Sequence, residues 1–381
     1  MPDAEARVPA NARVLLFSQR NVSRRVWRGG LNEFEDVIAE VDSVRMLTPR
    51  RPEVSDVRRL GRRFADGARR RLHLPWKPHT EVLRVDGEYD LFFAVFLSAR
   101  ELPYLQQLKG WRQRCRKAAC FIAEQWLPMV EKFAPYLERL RDFDRVFLFS
   151  RWSIPAMQAI AQRPVDYLAA GIEAEAFCPY PALPPRMIDV YSLGRRSPVT
   201  HKALVRSMRA ERLTYVYDTV PFGQLAEVDY TQHRPLVQHL TKRSRYFLVY
   251  RVTDSPQRAH WGGEEAVPFR YFEGAAGGTV MLGTAPKSED YDRLFDWPDA
   301  TIEIPYEAPE ILDILASLDA DPERLERARR NNVVNSLRRH DWVYRWRDIL
   351  DSIGLAHTPG LQARIARLEQ LADLVARNGT D

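Results

Sequence analysis

The 381-residue chain holds only three cysteines, Cys115, Cys120 and Cys178. They form no Cys-x-x-Cys pair, so they give neither a disulfide framework nor a zinc spacing. A reducing compartment and plain packing roles fit all three. No apolar run approaches the roughly 18–20 residues that cross a bilayer. Met1–Ala12 is polar with two prolines, and the apolar run Val14–Phe17 is too short for a signal peptide. The expectation is a cytoplasmic protein. Internal repeats and low-complexity tracts are also missing, which excludes solenoid and fibrous architectures.

What is present is the balance of a soluble globular protein, with 45% hydrophobic and 28% charged residues. The length exceeds one ordinary core, so two domains are expected. Lysine and arginine outnumber the acids, for a net charge of +6. That leaning permits an anionic partner without choosing among nucleic acid, a membrane surface and a phosphorylated substrate.

Short apolar runs alternate with amphipathic stretches. Strands are expected at Arg13–Ser18, Tyr89–Phe96, Ala118–Ala123, Arg145–Ser150 and Val165–Ala169, with helices at Leu31–Val41, Leu127–Arg141 and Ile154–Gln162. The segment Cys178–Pro185 carries four prolines and reads as a stiff linker. Beyond it the alternation restarts. Strands are expected at Ile188–Ser192, Leu213–Tyr217, Tyr246–Tyr250 and Thr279–Leu282. Helices are expected at His201–Arg209, Pro235–Lys242, Phe269–Ala276, Pro309–Leu318, Pro322–Trp346 and Leu361–Ala376. Buried strands separated by helices predict an α/β fold of parallel sheets. The domains are expected at 1–182 and 183–345, with 346–381 as helices packing back on the body. Ligands of doubly wound sheets bind at the carboxyl ends of the strands.

The richest stretch is Glu265–Gly278. Two carboxylates, Glu265 and Glu273, stand eight positions apart, and the second is expected to open a helix ending at Gly277-Gly278. A carboxylate there can accept hydrogen bonds from ribose hydroxyls, and free N–H groups there can receive phosphate. Upstream, Gly194-Arg195-Arg196 follows an expected strand, with Lys202 a few residues on. Fixed cations of this kind can stabilise negative charge in a desolvated cleft. In the first half, Gly29-Gly30 opens a helix and lets backbone approach a phosphate closely.

Together these residues resemble the Glu-x7-Glu signature of the retaining GT-B glycosyltransferases, family 4 and its relatives (the group 1 glycosyl transferases). The family's Arg-x-Phe-Glu-Ala-x-Ala-x-Gly is similar to Arg270–Gly278 here. Val165–Pro179 resembles the run that precedes the family's linker, with Ala170 in place of the usual Asn. The resemblance implies two Rossmann-like domains facing each other across a cleft, the first for the acceptor and the second for a nucleotide sugar. It implies transfer of a sugar from a UDP- or GDP-sugar to a hydroxyl acceptor, with retention and without a tightly bound metal or other cofactor. By it Glu273 would bind the donor ribose and Glu265 would lie beside the transferred sugar. Arg195 or Arg196, with Lys202, Arg270, Gly29 and Gly30, would hold the diphosphate. Base readout would involve backbone near Tyr230-Thr231-Gln232.

Two departures qualify the match. Ala266-Val267-Pro268 replaces the family's Gly-Phe-Gly, so Glu264 competes with Glu265 as the first carboxylate. Where many relatives carry a His after the third strand, this chain has Glu124, a candidate for hydroxyl binding or base catalysis. The acceptor stays open among saccharide, lipid-linked and small-molecule hydroxyls.

Arg50–Lys77 is the most basic segment, with Val57, Leu60, Phe64, Ala68 and Leu72 at helical spacing. It would suit peripheral docking on an anionic membrane. A non-catalytic GT-B scaffold and a basic nucleic-acid-binding protein remain alternatives, although no helix-turn-helix, zinc-finger or RNP pattern supports nucleic acid.

Overall fold

The computed structural model describes residues 12–23, 26–50, 78–219, 230–254 and 258–377. By contact the chain divides into two compact units. One comprises residues 1–24 and 38–168, the other residues 25–37 and 169–381. The basic segment, Arg50 apart, lies outside the described residues.

The strands of the first unit are β1 (Val14–Phe17), β2 (Val44–Leu47), β3 (Leu83–Arg84), β4 (Tyr89–Phe96), β5 (Leu108–Lys109), β6 (Cys115–Ile122), β7 (Arg145–Leu148) and β8 (Val165–Tyr167). Six of them form one sheet in the order β2-β1-β4-β6-β7-β8, every pair parallel. Val14, Leu15, Leu16 and Phe17 are all fully buried, as are Leu91–Phe96. Burial on both faces is why these strands read as continuous apolar runs. The strand order reverses between β1 and β4, the mark of a doubly wound sheet.

The second unit repeats the plan. Its strands β9 (Ile188–Ser192), β10 (Tyr215–Tyr217), β11 (Ser244–Val249), β12 (Val280–Gly283) and β13 (Ile302–Glu303) lie in the order β10-β9-β11-β12-β13, again all parallel. The reversal falls between β9 and β11. The described α-helices of eight or more residues are α1 (Gly29–Val41), α2 (Ile154–Ala161), α3 (Pro198–Arg209), α4 (Tyr230–Lys242), α5 (Phe269–Ala276), α6 (Ile311–Asp319), α7 (Pro322–Arg339), α8 (Trp342–Ile353) and α9 (Pro359–Arg377).

Several expectations change. The helix expected over Leu127–Arg141 is a chain of short helical pieces, with Pro128 and Pro135 in the first turns of two of them. The helix expected over Pro322–Trp346 breaks at His340-Asp341, where the Asp341 side chain accepts the Val343 N–H and caps α8. Tyr230–Gln232 form the first turn of α4 rather than a loop. Strand β2 was not expected; its half-buried Val-Arg-Met-Leu does not read as a buried run.

The first turns of α1 pack with the second unit. Phe34 stacks on Trp342 at 4.6 Å between ring centroids, and both are fully buried. Burying a side chain such as Phe34 stabilises by about 1.5–3 kcal/mol. The three cysteines are free and buried. Burial pushes the Cys178 thiol up to about 11 and the Cys115 thiol up to about 12, so both stay protonated and inert.

Candidate functional site

The reversal point of the second sheet gathers most of the expected donor residues. The loop after β9 carries Gly194, Arg195 and Arg196, and α3 starts at Pro198 behind the cap of Ser197. Gly194 has φ of 75°, and a Cβ there would lie 2.3 Å from a guanidinium nitrogen of Arg270. Glycine is therefore required by both backbone and space. Arg270, in the first turn of α5, donates from Nε to the carbonyl of Leu193. Burial holds its guanidinium below the ordinary value, against the pull of Glu273 and Asp218.

The two adjacent arginines differ. Arg196 donates to the Asp218 carbonyl at 2.7 Å and pairs with its carboxylate at 3.3 Å. Asp218 also accepts the Gly194 N–H at 2.9 Å. Arg195 instead stands over the Trp261 ring at 5.5 Å. Lys202 is exposed in the second turn of α3. Asp218, which organises this loop, carries no sequence signal beyond its place after β10.

Glu273 does not open its helix. It is the fifth residue of α5, so the helix dipole does not act on it as expected. The helix begins after Pro268, with no side-chain cap. Glu273 is 4% exposed, and its Oε1 accepts from Arg234 on α4. Arg234 in turn makes two bonds of 2.8 Å to the two carboxylate oxygens of Glu33 on α1. Burial alone would depress the Arg234 guanidinium, but the charges of Glu33 and Glu273 raise it above its ordinary value. Burial raises the Glu33 carboxyl, against the pull of Arg234. Neither Arg234 nor Glu33 stood out in the sequence.

Gly29 and Gly30 have a packing reason. A Cβ on Gly29 would meet Arg234 Cδ at 2.6 Å, and one on Gly30 would meet the Phe269 ring at 2.9 Å. Glu264 is buried. Glu265 is half-buried, accepting from the Thr253 hydroxyl and, at 3.3 Å, from the Lys287 N–H. It therefore sits among the loops that follow β11 and β12. Glu124 belongs to the first unit, exposed just past the end of β6, with its N–H on the Leu97 carbonyl at 2.6 Å. Among the described residues no cluster of three or more His, Cys, Asp or Glu side chains could hold a metal. Nor is any described helix long and apolar enough to cross a membrane.

Residues 196–351 match a family described as glycosyl transferase-like. No curated protein matches the sequence. Among solved structures the chain is similar to HepE of Anabaena in complex with UDP-glucose, with a TM-score of 0.51 at 12% identity, over 90% of this chain and 100% of that one. It is similar to an alpha-glucosyltransferase in complex with UDP-glucose and DNA containing an abasic site, with a TM-score of 0.51 at 10% identity, over 90% and 99%. An alpha,alpha-trehalose-phosphate synthase (UDP-forming) from Burkholderia vietnamiensis gives a TM-score of 0.50 at 12% identity, over 93% and 98%. At such identities the likeness speaks for the fold. The chain thus has the GT-B fold, and its residues 196–351 match the glycosyl transferase-like family.

Proposed function

We propose that the protein transfers a sugar, with retention, from a nucleotide diphosphate sugar to a hydroxyl acceptor, and that the carboxyl end of the second sheet holds the donor. The observation that carries this reading is the meeting of the Gly194–Arg196 loop with the start of α5 through Arg270 and the Leu193 carbonyl. It brings the Arg195-Arg196 loop and Arg270, far apart in sequence, to the reversal point of a parallel sheet, where such folds bind ligands.

In this reading Arg195, Lys202 and Arg270 neutralise the diphosphate as it leaves, and the uncapped start of α5 offers N–H groups to it. Glu273 accepts the ribose hydroxyls. Glu265, held by Thr253 and Lys287, lines the place of the transferred sugar. Arg196 is tied to Asp218 and keeps the loop in shape. The protein's work is positioning and charge stabilisation. Glu124, at the end of β6, is the candidate contact to the acceptor. UDP is the first nucleotide to try, because HepE and the alpha-glucosyltransferase were solved with UDP-glucose.

The test is a thermal-shift screen against UDP, GDP, ADP, dTDP and their sugars. One nucleotide and its sugars should raise the melting temperature, and Glu273→Ala should reduce that rise. If none stabilises the protein, the donor site is wrong.

A further inference from the structure

We propose that Arg234 and Glu33 are positioning residues that set the Glu273 carboxylate for the donor ribose. The inference rests on the reading of Glu273 as the ribose ligand and extends it to two residues of other helices.

The geometry is a three-helix relay. Glu33 on α1 grips two nitrogens of the Arg234 guanidinium at 2.8 Å each, across 201 positions of sequence. Two parallel bonds fix the plane of the fork. The remaining nitrogen then meets Oε1 of Glu273 at a set angle. The side chains of Arg234, Glu33 and Glu273 are only 9%, 8% and 5% exposed. Gln238 adds a bond of 3.4 Å to Glu33, and the Arg234 guanidinium lies 5.0 Å from the centre of the Phe177 ring. Gly29 completes the fit, since any Cβ there would displace the Arg234 stem.

Stability alone gives no reason for this arrangement. One carboxylate balances one buried guanidinium; a second leaves excess negative charge in a desolvated place, which is costly. The second acid here is Glu273. Its Oε1 is committed to Arg234, and among the described residues no hydrogen bond reaches its Oε2. A carboxylate pinned at one oxygen and open at the other is prepared to accept from a diol. Arg270, one helical turn away, offsets part of that negative charge without bonding to the carboxylate.

The experiment measures binding of UDP and of 2′,3′-dideoxy-UDP by calorimetry to the full chain and to Glu33→Gln, Arg234→Lys and Glu273→Gln. Melting temperatures and the split between donor KM and kcat are recorded alongside. The intact protein should prefer UDP. Glu273→Gln should weaken UDP by about tenfold, the loss of roughly one charge-assisted bond. Glu33→Gln and Arg234→Lys should weaken UDP severalfold, leave the dideoxy nucleotide unchanged, and raise donor KM more than they lower kcat. Glu33→Gln should cost nothing further in the Glu273→Gln background. The relay is overturned if Glu33→Gln and Arg234→Lys leave UDP unchanged or weaken both nucleotides alike, as a general packing defect would. If Glu273→Gln itself binds UDP as the intact protein does, the donor reading falls and the relay with it.

Discussion

Arg364 on α9 and Asp341 at the start of α8 form a two-point ion pair, with N–O distances of 3.0 and 2.9 Å and neither side chain exposed. Asp341 also accepts the N–H groups of Ala174 and Val343, each at 2.9 Å. Removing Arg364 leaves the buried Asp341 carboxylate with backbone N–H donors only, and removing Asp341 leaves the buried Arg364 with the more distant Glu173 and Glu175, at 3.9 and 3.6 Å. Arg364→Ala and Asp341→Ala should each destabilise the second unit by about 3–5 kcal/mol. The double replacement Arg364→Ala with Asp341→Ala should cost less than the sum of the two single changes. Urea unfolding of the four proteins measures this. Additive losses would contradict a coupled pair.

His340 is fully buried against Phe272, Phe295 and Trp297, with ring centroids 5.0, 5.0 and 5.9 Å away. Burial, then the charges of Arg345 and Arg339, hold its imidazole well below the ordinary value. His201 and His233 shift in the same direction, again through burial first. A depressed histidine contributes stability that is present above its unfolded pKa, near 6.5, and is lost as pH falls. For His340 the slope is about 1.4 kcal/mol per pH unit below that point. His340→Leu should flatten the decline of melting temperature between pH 7 and pH 5. An unchanged slope would show that His340 is not the acid-sensitive group.

The two glycines of α1 should separate by phenotype. Gly29→Ala meets the clamped stem of Arg234 and should weaken donor binding along with stability. Gly30→Ala meets the Phe269 ring and should cost stability, about 1–3 kcal/mol, with a smaller effect on the donor. Calorimetry with UDP beside a melting curve distinguishes the two. Equal donor losses would favour a direct phosphate contact by both glycines.

The cations of the β9 loop should also divide. Lys202 is exposed, so Lys202→Ala should leave the melting temperature in place while kcat falls by about 10²–10³-fold. Arg196→Ala removes the tie to Asp218 and should lower the melting temperature as well as activity. Steady-state kinetics with the identified donor, paired with thermal melts, checks both.

The second sheet was largely legible because its punctuation is local. Pro268 and Gly277-Gly278 bound α5, and the helix is found over the expected Phe269–Ala276. Gly194-Arg195-Arg196 follows its strand as read. What escaped is long-range. Glu33 lies in an ordinary amphipathic helix, and only folding places it on Arg234, 201 residues away. Asp218 acts through one backbone N–H and one guanidinium, which no spacing announces. The motif singled out Glu273 but not its place in mid-helix, because the motif fixes intervals and not helix ends.

Arg186 was passed over for the same reason. It donates to the carbonyls of Lys242, Ser244 and Gly278 at the ends of two helices and the start of a strand. Burial lowers its guanidinium to about 10, so it remains a cation suited to helix carboxyl ends.

Residues 25–37 belong by contact to the second unit, although nearly all of the first unit follows them in sequence. The two halves are therefore not independent modules that could be cut at one peptide bond and exchanged with relatives. A fragment starting at Ala169 would lack Phe34 beneath Trp342 and Glu33 beside Arg234, leaving an open apolar face and an Arg234 without its two-point partner. Any split or chimeric version of this protein must carry that short N-terminal helix with the second half, or supply it as a separate peptide.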